Sequence, residues 1–299
     1  MSKRDKKGLW AGVVRPLLGI CALALLIRSL LFEPFHIPSD SMLPNLMVGD
    51  HLFVNKTAYG YSKRSFPFSP PIFRGRVFFR EPDIGDVVVF KNIGGGAEDN
   101  YIKRLIGRPG DRIQVRRGRL YINGKPCPRA EAGRFFVLNL PMRLRHAASV
   151  SVPASSGKTL VVIGGREVFL GSEKLARDEY TIAYKTGREY RGEALELKRY
   201  VETLPNGVEH FIIEYSDGYD DMDNTAEYLV PPGKYFMMGD NRDFSQDSRV
   251  MEKVGFVDAQ ELMGRAVVIF YSHNNSVRFW EFWSWLGPVR FERLLRFVK

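Results

Sequence analysis

Residues 8–32 form an apolar run broken only by Arg15 and Arg28, and they follow a tip with Lys3, Arg4, Lys6 and Lys7 against Asp5. Twenty-five residues are enough to cross a bilayer as a helix, the form that satisfies a single segment's backbone in lipid. The uncharged stretch 16–27 alone has the length of the apolar part of a cleavable export signal. A retained anchor is the better reading, because apolar character resumes at Leu30, Leu31 and Phe32 and no small-residue cleavage site follows. The two arginines can snorkel toward headgroups. With the basic tip kept in the cytoplasm, everything after Glu33 lies on the far side of the membrane.

Beyond the anchor the sequence reads as short strands with turn punctuation. Alternating or continuous apolar runs predict strands at 51–56, 85–91, 101–106, 112–115, 120–122, 159–163, 166–170, 211–215, 235–238 and 265–271. Gly164-Gly165 and Asn123-Gly124 are hairpin signals. The expected fold is therefore mostly β, with antiparallel sheets behind a transmembrane helix. Residues 61–71 and 92–99 read as loops, and 131–158 as a variable linker or insertion. The expected division is 1–32 for tip and anchor, 33–107 plus 233–271 for a β core, 108–232 for a second β region inserted in it, and 272–299 for a basic tail rich in tryptophan.

Three segments carry candidate chemistry. In residues 35–50, Pro38 and Pro44 bracket a stiff stretch in which Ser39 and Ser41 share a side if it is extended, although Ser-Asp-Ser also suits a plain turn or cap. In residues 99–111 an apolar strand carries Lys103 and Arg104 on opposite faces, so that one can be buried while the other is solvated. A lysine on a strand is usually a solvent-facing edge residue. Turned inward, Lys103 loses hydration and with it part of its basicity, which an amine base requires; Arg104 stays protonated regardless. Residues 239–249 mix carboxylates, arginines and hydroxyls, and suit either a solvated loop or a scaffold around a site, with Ser245 placed to hold a neutral amine.

Together these segments resemble the bacterial signal peptidase I family of Ser/Lys proteases. The pattern FxIPSxSMxP stands at 35–44, YIKRxxGxPGD at 101–111 and GDNRDxSxDSR at 239–249, in the family's order. The resemblance implies a two-part antiparallel β domain of the kind shared with self-cleaving repressors. It makes Ser41 the nucleophile and Lys103 the general base, with the Ser41 N–H and the Ser39 hydroxyl as an oxyanion hole. Ser245 would orient the lysine, and Asp247 and Arg249 would support it as a pair. Ile37, Pro38, Met42 and Ile102 would line a shallow pocket for the small residue before the cut. The implied reaction removes signal peptides from exported preproteins after small-x-small sites, through an acyl-enzyme at the bacterial inner membrane, with no metal or cofactor. Two positions depart from the pattern, Asn45 where threonine is frequent and Phe244 where asparagine is frequent. The disulfide of some members is impossible with Cys127 alone, since Cys21 lies in the anchor.

Rival readings are weaker. His36 and His51 are near Ser41 in sequence, but opposite parity on a strand separates His36 from it, against a Ser/His/Asp hydrolase. Self-cleaving repressors carry a DNA-binding domain where this chain has an anchor. A formal net charge of +10 would suit nucleic acid, yet Trp280, Trp283 and Trp285 sit among the arginines of the C-terminal end, a pattern that points to phospholipid headgroups or to packing on the core. No metal-ligand spacing exists among the cysteines and the five histidines. A calcium loop beginning at Asp217 fails because Met222 and Tyr228 stand where glycine and glutamate are needed.

Overall fold

The computed structural model describes residues 10–66, 69, 75–94, 98–141, 144, 147–163, 165, 167–185, 193–215, 221–273 and 289–298. Trp280, Trp283, Trp285, Gly164, Arg166 and Asp217 lie outside these residues.

A helix over Arg15–Leu30 continues a wider helical turn over Trp10–Val14; its residues are exposed up to Arg28, and Ser29 and Leu30 are half-buried. The apolar span Gly12–Leu30 has 19 residues and a mean hydropathy of 1.9. At about 1.5 Å per residue it approaches the roughly 30 Å of a bilayer's hydrocarbon core. The helix is tied to the domain at its C-terminal end. Buried Lys56 pairs with Glu33 at 2.7 Å and donates to the carbonyl of Arg28 at 3.1 Å, and Tyr61 Oη donates to the carbonyl of Leu30. Arg28 itself pairs with Glu33 at 3.0 Å.

Among the described residues the domain is built from one eight-stranded sheet and three four-stranded sheets. Across the large sheet the order is Phe32–His36, Asp50–Asn55, Leu262–Ser272, Val87–Asn92, Asp99–Gly107, Lys234–Met238 and Val257–Asp258, with Arg296–Phe297 added on Leu262–Ser272. All its strand pairs are antiparallel. The end of the 272–299 segment is thus part of this sheet. Arg293 pairs with fully buried Asp50 at 2.5 Å, and Arg290 lies 3.9 Å from the same carboxylate.

All ten expected strands are present, with ends moved by at most three residues. At Asn123 and Gly124, φ values of 53° and 75° make the predicted tight turn between Arg119–Ile122 and Lys125–Pro126. Residues 131–158 are not a linker. They hold most of the 13-residue strand Arg129–Pro141 and all of Ser149–Pro153. Alternation is missing from 135–141 because both faces are covered. Phe135 and Val137 pack with Leu43 and Met47, whereas Phe136, Leu138 and Leu140 pack with Leu160 and Val168. Tyr180–Lys185 joins Arg129–Pro141 in parallel, the exception to the antiparallel rule among the named strand pairs. The sheet containing Arg112–Arg116 and Arg119–Ile122 contributes Ile113, Val115, Leu120 and Ile122 to the same core as Leu105 and Phe236, so this small sheet shares its interior with the large one.

Candidate active site

Ser41 follows the strand Phe32–His36 in a turn whose apolar residues face inward: Met42, Leu43 and Leu46 are fully buried. This anchors a short polar stretch against the sheet. The Asn241 N–H donates to the Ser41 carbonyl at 3.1 Å, and Asn241 Nδ2 donates to the Asp40 carbonyl at 3.1 Å, which clamps residues 40–41 to the loop after Lys234–Met238. Gly239 sits where these chains meet. A Cβ there would strike Ser245 and lie 2.6 Å from the Ser41 carbonyl oxygen.

Lys103 lies on Asp99–Gly107, an interior strand of the large sheet, and is 3% exposed. Its Nζ donates to Ser41 Oγ at 2.5 Å. Burial pushes its pKa down to about 8; the Asp247 and Asp240 carboxylates oppose this and the Arg249 guanidinium reinforces it. Arg104, on the opposite face of the strand, is fully buried as well. The strand has neighbours on both edges and cover on both faces, so the guanidinium finds an internal partner. It bonds both oxygens of Asp240 at 2.8 Å and the Gly85 carbonyl at 2.7 Å.

Asp247 is fully buried and receives Arg249 Nε at 2.9 Å, Arg249 Nη2 at 2.8 Å and the Gly239 N–H at 2.9 Å. Burial alone would raise its carboxyl, but the guanidinium and these hydrogen bonds outweigh it and hold the pKa below the usual value. Ser245 Oγ is buried within the electrostatic reach of Asp247, yet it makes no hydrogen bond of ordinary geometry and none to Lys103. Ser39 is exposed, with its Oγ 3.5 Å from Ser41 Oγ.

A cleft of about 660 Å³ opens on Ser41 and Lys103. One wall runs along residues 33–41 and the other along residues 100–103, and the cleft reaches Arg28 at the end of the apolar helix. Ile37, Pro38 and Ile102 line it. Met42 does not; it is fully buried in the core beneath, beside Ile37 and Leu46. Val89, Phe244 and Gln246 are further lining residues that motif matching did not mark as pocket. Phe244 occupies the mouth at 46% exposure. Asn45, the other departure, is used internally: its Nδ2 donates at 2.7 Å to the Phe211 carbonyl and at 2.7 Å to Asp240, joining the turn of Ser41 to the partner of Arg104.

Residues 10–271 match the family described as signal peptidase, peptidase S26. A signal peptidase I of Rickettsia conorii is 32% identical over 295 residues, covering 93% of this chain and 89% of that protein. The signal peptidase I of Rickettsia prowazekii is 30% identical with the same coverage. Among solved structures, a signal peptidase I from Enterococcus faecalis aligns with 62% of this chain and 97% of its own at 21% identity, with a TM-score of 0.27, too loose to carry weight.

Proposed function

The chain belongs to the S26 signal peptidases, serine endopeptidases that remove signal peptides from exported preproteins, and we propose that it does so through a dyad of Ser41 and Lys103. What supports the dyad is one contact: a buried amine of depressed basicity hydrogen-bonded to the hydroxyl of Ser41.

Ser41 Oγ attacks the scissile carbonyl while Lys103 Nζ, neutral, takes its proton. The Ser41 N–H and Ser39 Oγ receive the charge that develops on the carbonyl oxygen. Collapse of the tetrahedral species breaks the peptide bond, the lysine returns a proton to the leaving amine, and an ester remains on Ser41. Water, deprotonated by the same amine, then hydrolyses the ester. Ser245 is assigned to holding the amine between these steps, which requires its side chain to turn toward Lys103. Asp247 and Arg249 fix the loop that carries it.

The substrate lies extended between the walls at 33–41 and 100–103, adding a strand, with a small side chain against Ile37, Pro38 and Ile102 at the cut and a second small residue two positions before. A signal peptide leaving the bilayer runs beside the enzyme's own apolar helix, a reading supported by the cleft's reach to Arg28. The basic N-terminus is assigned to the cytoplasm and the domain to the outer side of the bacterial inner membrane.

Processing of a labelled preprotein by wild type, Ser41→Ala and Lys103→Met tests the dyad. Both variants are expected to leave the precursor uncut while retaining native circular dichroism. Full cleavage by either one overturns the assignment.

A further inference from the structure

Three histidines that are far apart in sequence meet at one corner of the large sheet. His36, at the end of Phe32–His36, stands opposite His51 in the strand register, and His51 stands opposite Tyr271 of the next strand. His273 follows that strand and is held by its N–H, which donates to the Gly49 carbonyl at 3.1 Å. One ring nitrogen from each histidine can be chosen so that all three lie within 4.8 Å of one another. Sequence spacing hides the set, because two of the ligands come from two different strands and the third follows another.

We propose that His36, His51 and His273 form a binding site for a divalent transition-metal ion, best suited to Zn²⁺, with the remaining coordination positions open to water.

Imidazole nitrogens are ligands for zinc, copper, nickel and cobalt, and three of them around an open position match the commonest incomplete zinc shell. Two of the three ring pairs are tilted, while His36 and His273 lie near-parallel at 16° with centroids 6.4 Å apart. His36 and His51 are tilted by 48° and His51 and His273 by 32°, with centroids 4.8 and 5.5 Å apart. Neither His36 nor His51 makes a side-chain hydrogen bond among the described residues, so their nitrogens are not already committed. All three favour the neutral form that a metal needs. Burial lowers the pKa of His36 and His51, and it takes His273 down to about 4, with His51 and Arg290 contributing.

Tetrahedral zinc with bonds of about 2.0–2.1 Å separates its nitrogens by about 3.3 Å, so the rings must close by up to about 1.5 Å. His36 is exposed on an edge strand and free to swing that far. The opposing influence is the charge below the cluster, where the single Asp50 carboxylate faces both Arg290 and Arg293. That surplus positive charge weakens the expected affinity below that of closed structural zinc sites. His36 also lines the cleft of Ser41, so an occupied site fixes one wall of the substrate channel.

The test uses the untagged full-length protein in detergent. Titration with Co²⁺ is followed by the visible absorption of tetrahedral cobalt, and Zn²⁺ is then added as competitor. Wild type is expected to bind one equivalent, displaced stoichiometrically by zinc. His51→Ala and His273→Ala should each weaken binding by at least the roughly 10- to 100-fold seen for outer-shell partners, while still cleaving preprotein in metal-free buffer. Absence of a one-equivalent signal from wild type overturns the proposal. So does undiminished affinity in variants that retain cleavage.

Discussion

Replacing Lys103 by methionine should abolish cleavage and at the same time stabilise the protein. The lysine has an ordinary pKa of 10.5, and burial takes it to about 8 in the folded chain. At about 1.4 kcal/mol per pKa unit, holding the charged form in that slot costs about 3 kcal/mol. The folded pKa is the lower one, so between the two values the unfolded chain binds the extra proton and stability rises with pH. Below pH 8 both states carry the proton and the full cost is present; above 10.5 neither does and the cost is gone. Methionine has a similar unbranched length and no charge to bury. Its substitution removes the hydrogen bond to Ser41 Oγ, worth about 1 kcal/mol, which leaves a net gain of about 2 kcal/mol at pH 7. Urea unfolding of both proteins in the same detergent, at intervals from pH 7 to pH 10, measures the gap. It should be widest at pH 7 and shrink steadily from pH 8 upward, while wild-type kcat/KM rises along an acid limb near pH 8. A variant less stable than wild type at pH 7, or a gap that does not change with pH, refutes burial as the source of the lowered basicity.

Two further outcomes test the surroundings. Gly239→Ala introduces a methyl group against Ser245 and 2.6 Å from the Ser41 carbonyl, so kcat/KM should fall on the order of 100-fold with unchanged far-ultraviolet circular dichroism. Arg293→Ala leaves Asp50 buried with Ser272, the Met47 N–H and a distant Arg290, which should cost about 3–5 kcal/mol in detergent; a loss below about 1 kcal/mol refutes a tail docked through this ion pair. Deleting residues 274–299 should for the same reason reduce activity equally in detergent and in liposomes.

What the sequence revealed follows from how local the signal is. The strands at 51–56 and 112–115 alternate because one face meets the core, and the Asn123-Gly124 turn announces itself because both residues tolerate positive φ. The neighbouring turn at Arg117-Gly118 has φ values of 48° and 71° and gave no such signal, since arginine is not a turn residue. Residues 135–141 escaped because two cores claim opposite faces of one strand, which erases alternation. At the site, three short motifs picked out Ser41 and Lys103, which the fold brings within hydrogen-bonding distance, but motif order says nothing about depth. Met42 was expected in the pocket wall and lies under it, and opposite parity on the strand left Arg104 free to face solvent, yet it lies buried opposite Asp240. The histidine corner depends on the register of three strands, information that no spacing rule contains.

The charges around Lys103 explain why burial can decide its basicity. A lysine amid uncompensated carboxylates would be held charged, and one amid uncompensated arginines would leave its neighbours unstable. Here each buried charge beside the site has its own partner: Arg104 with Asp240, Arg249 with Asp247, and Arg242 with Glu202. The attraction of Asp247 and Asp240 for the lysine proton is therefore set against the repulsion of Arg249, and desolvation remains the largest influence. Buried ion pairs are poor evidence of added stability, since apolar replacements of the same shape often do as well. Their value in this fold is positional. Arg104 and Asp240 join the strand of the base to the loop of Ser245, and Asn45 ties the turn of Ser41 to the same carboxylate. Three segments far apart in the chain are thereby fixed around an amine by ion pairs that add no net charge of their own next to it, a condition that lets burial make the lysine a neutral base.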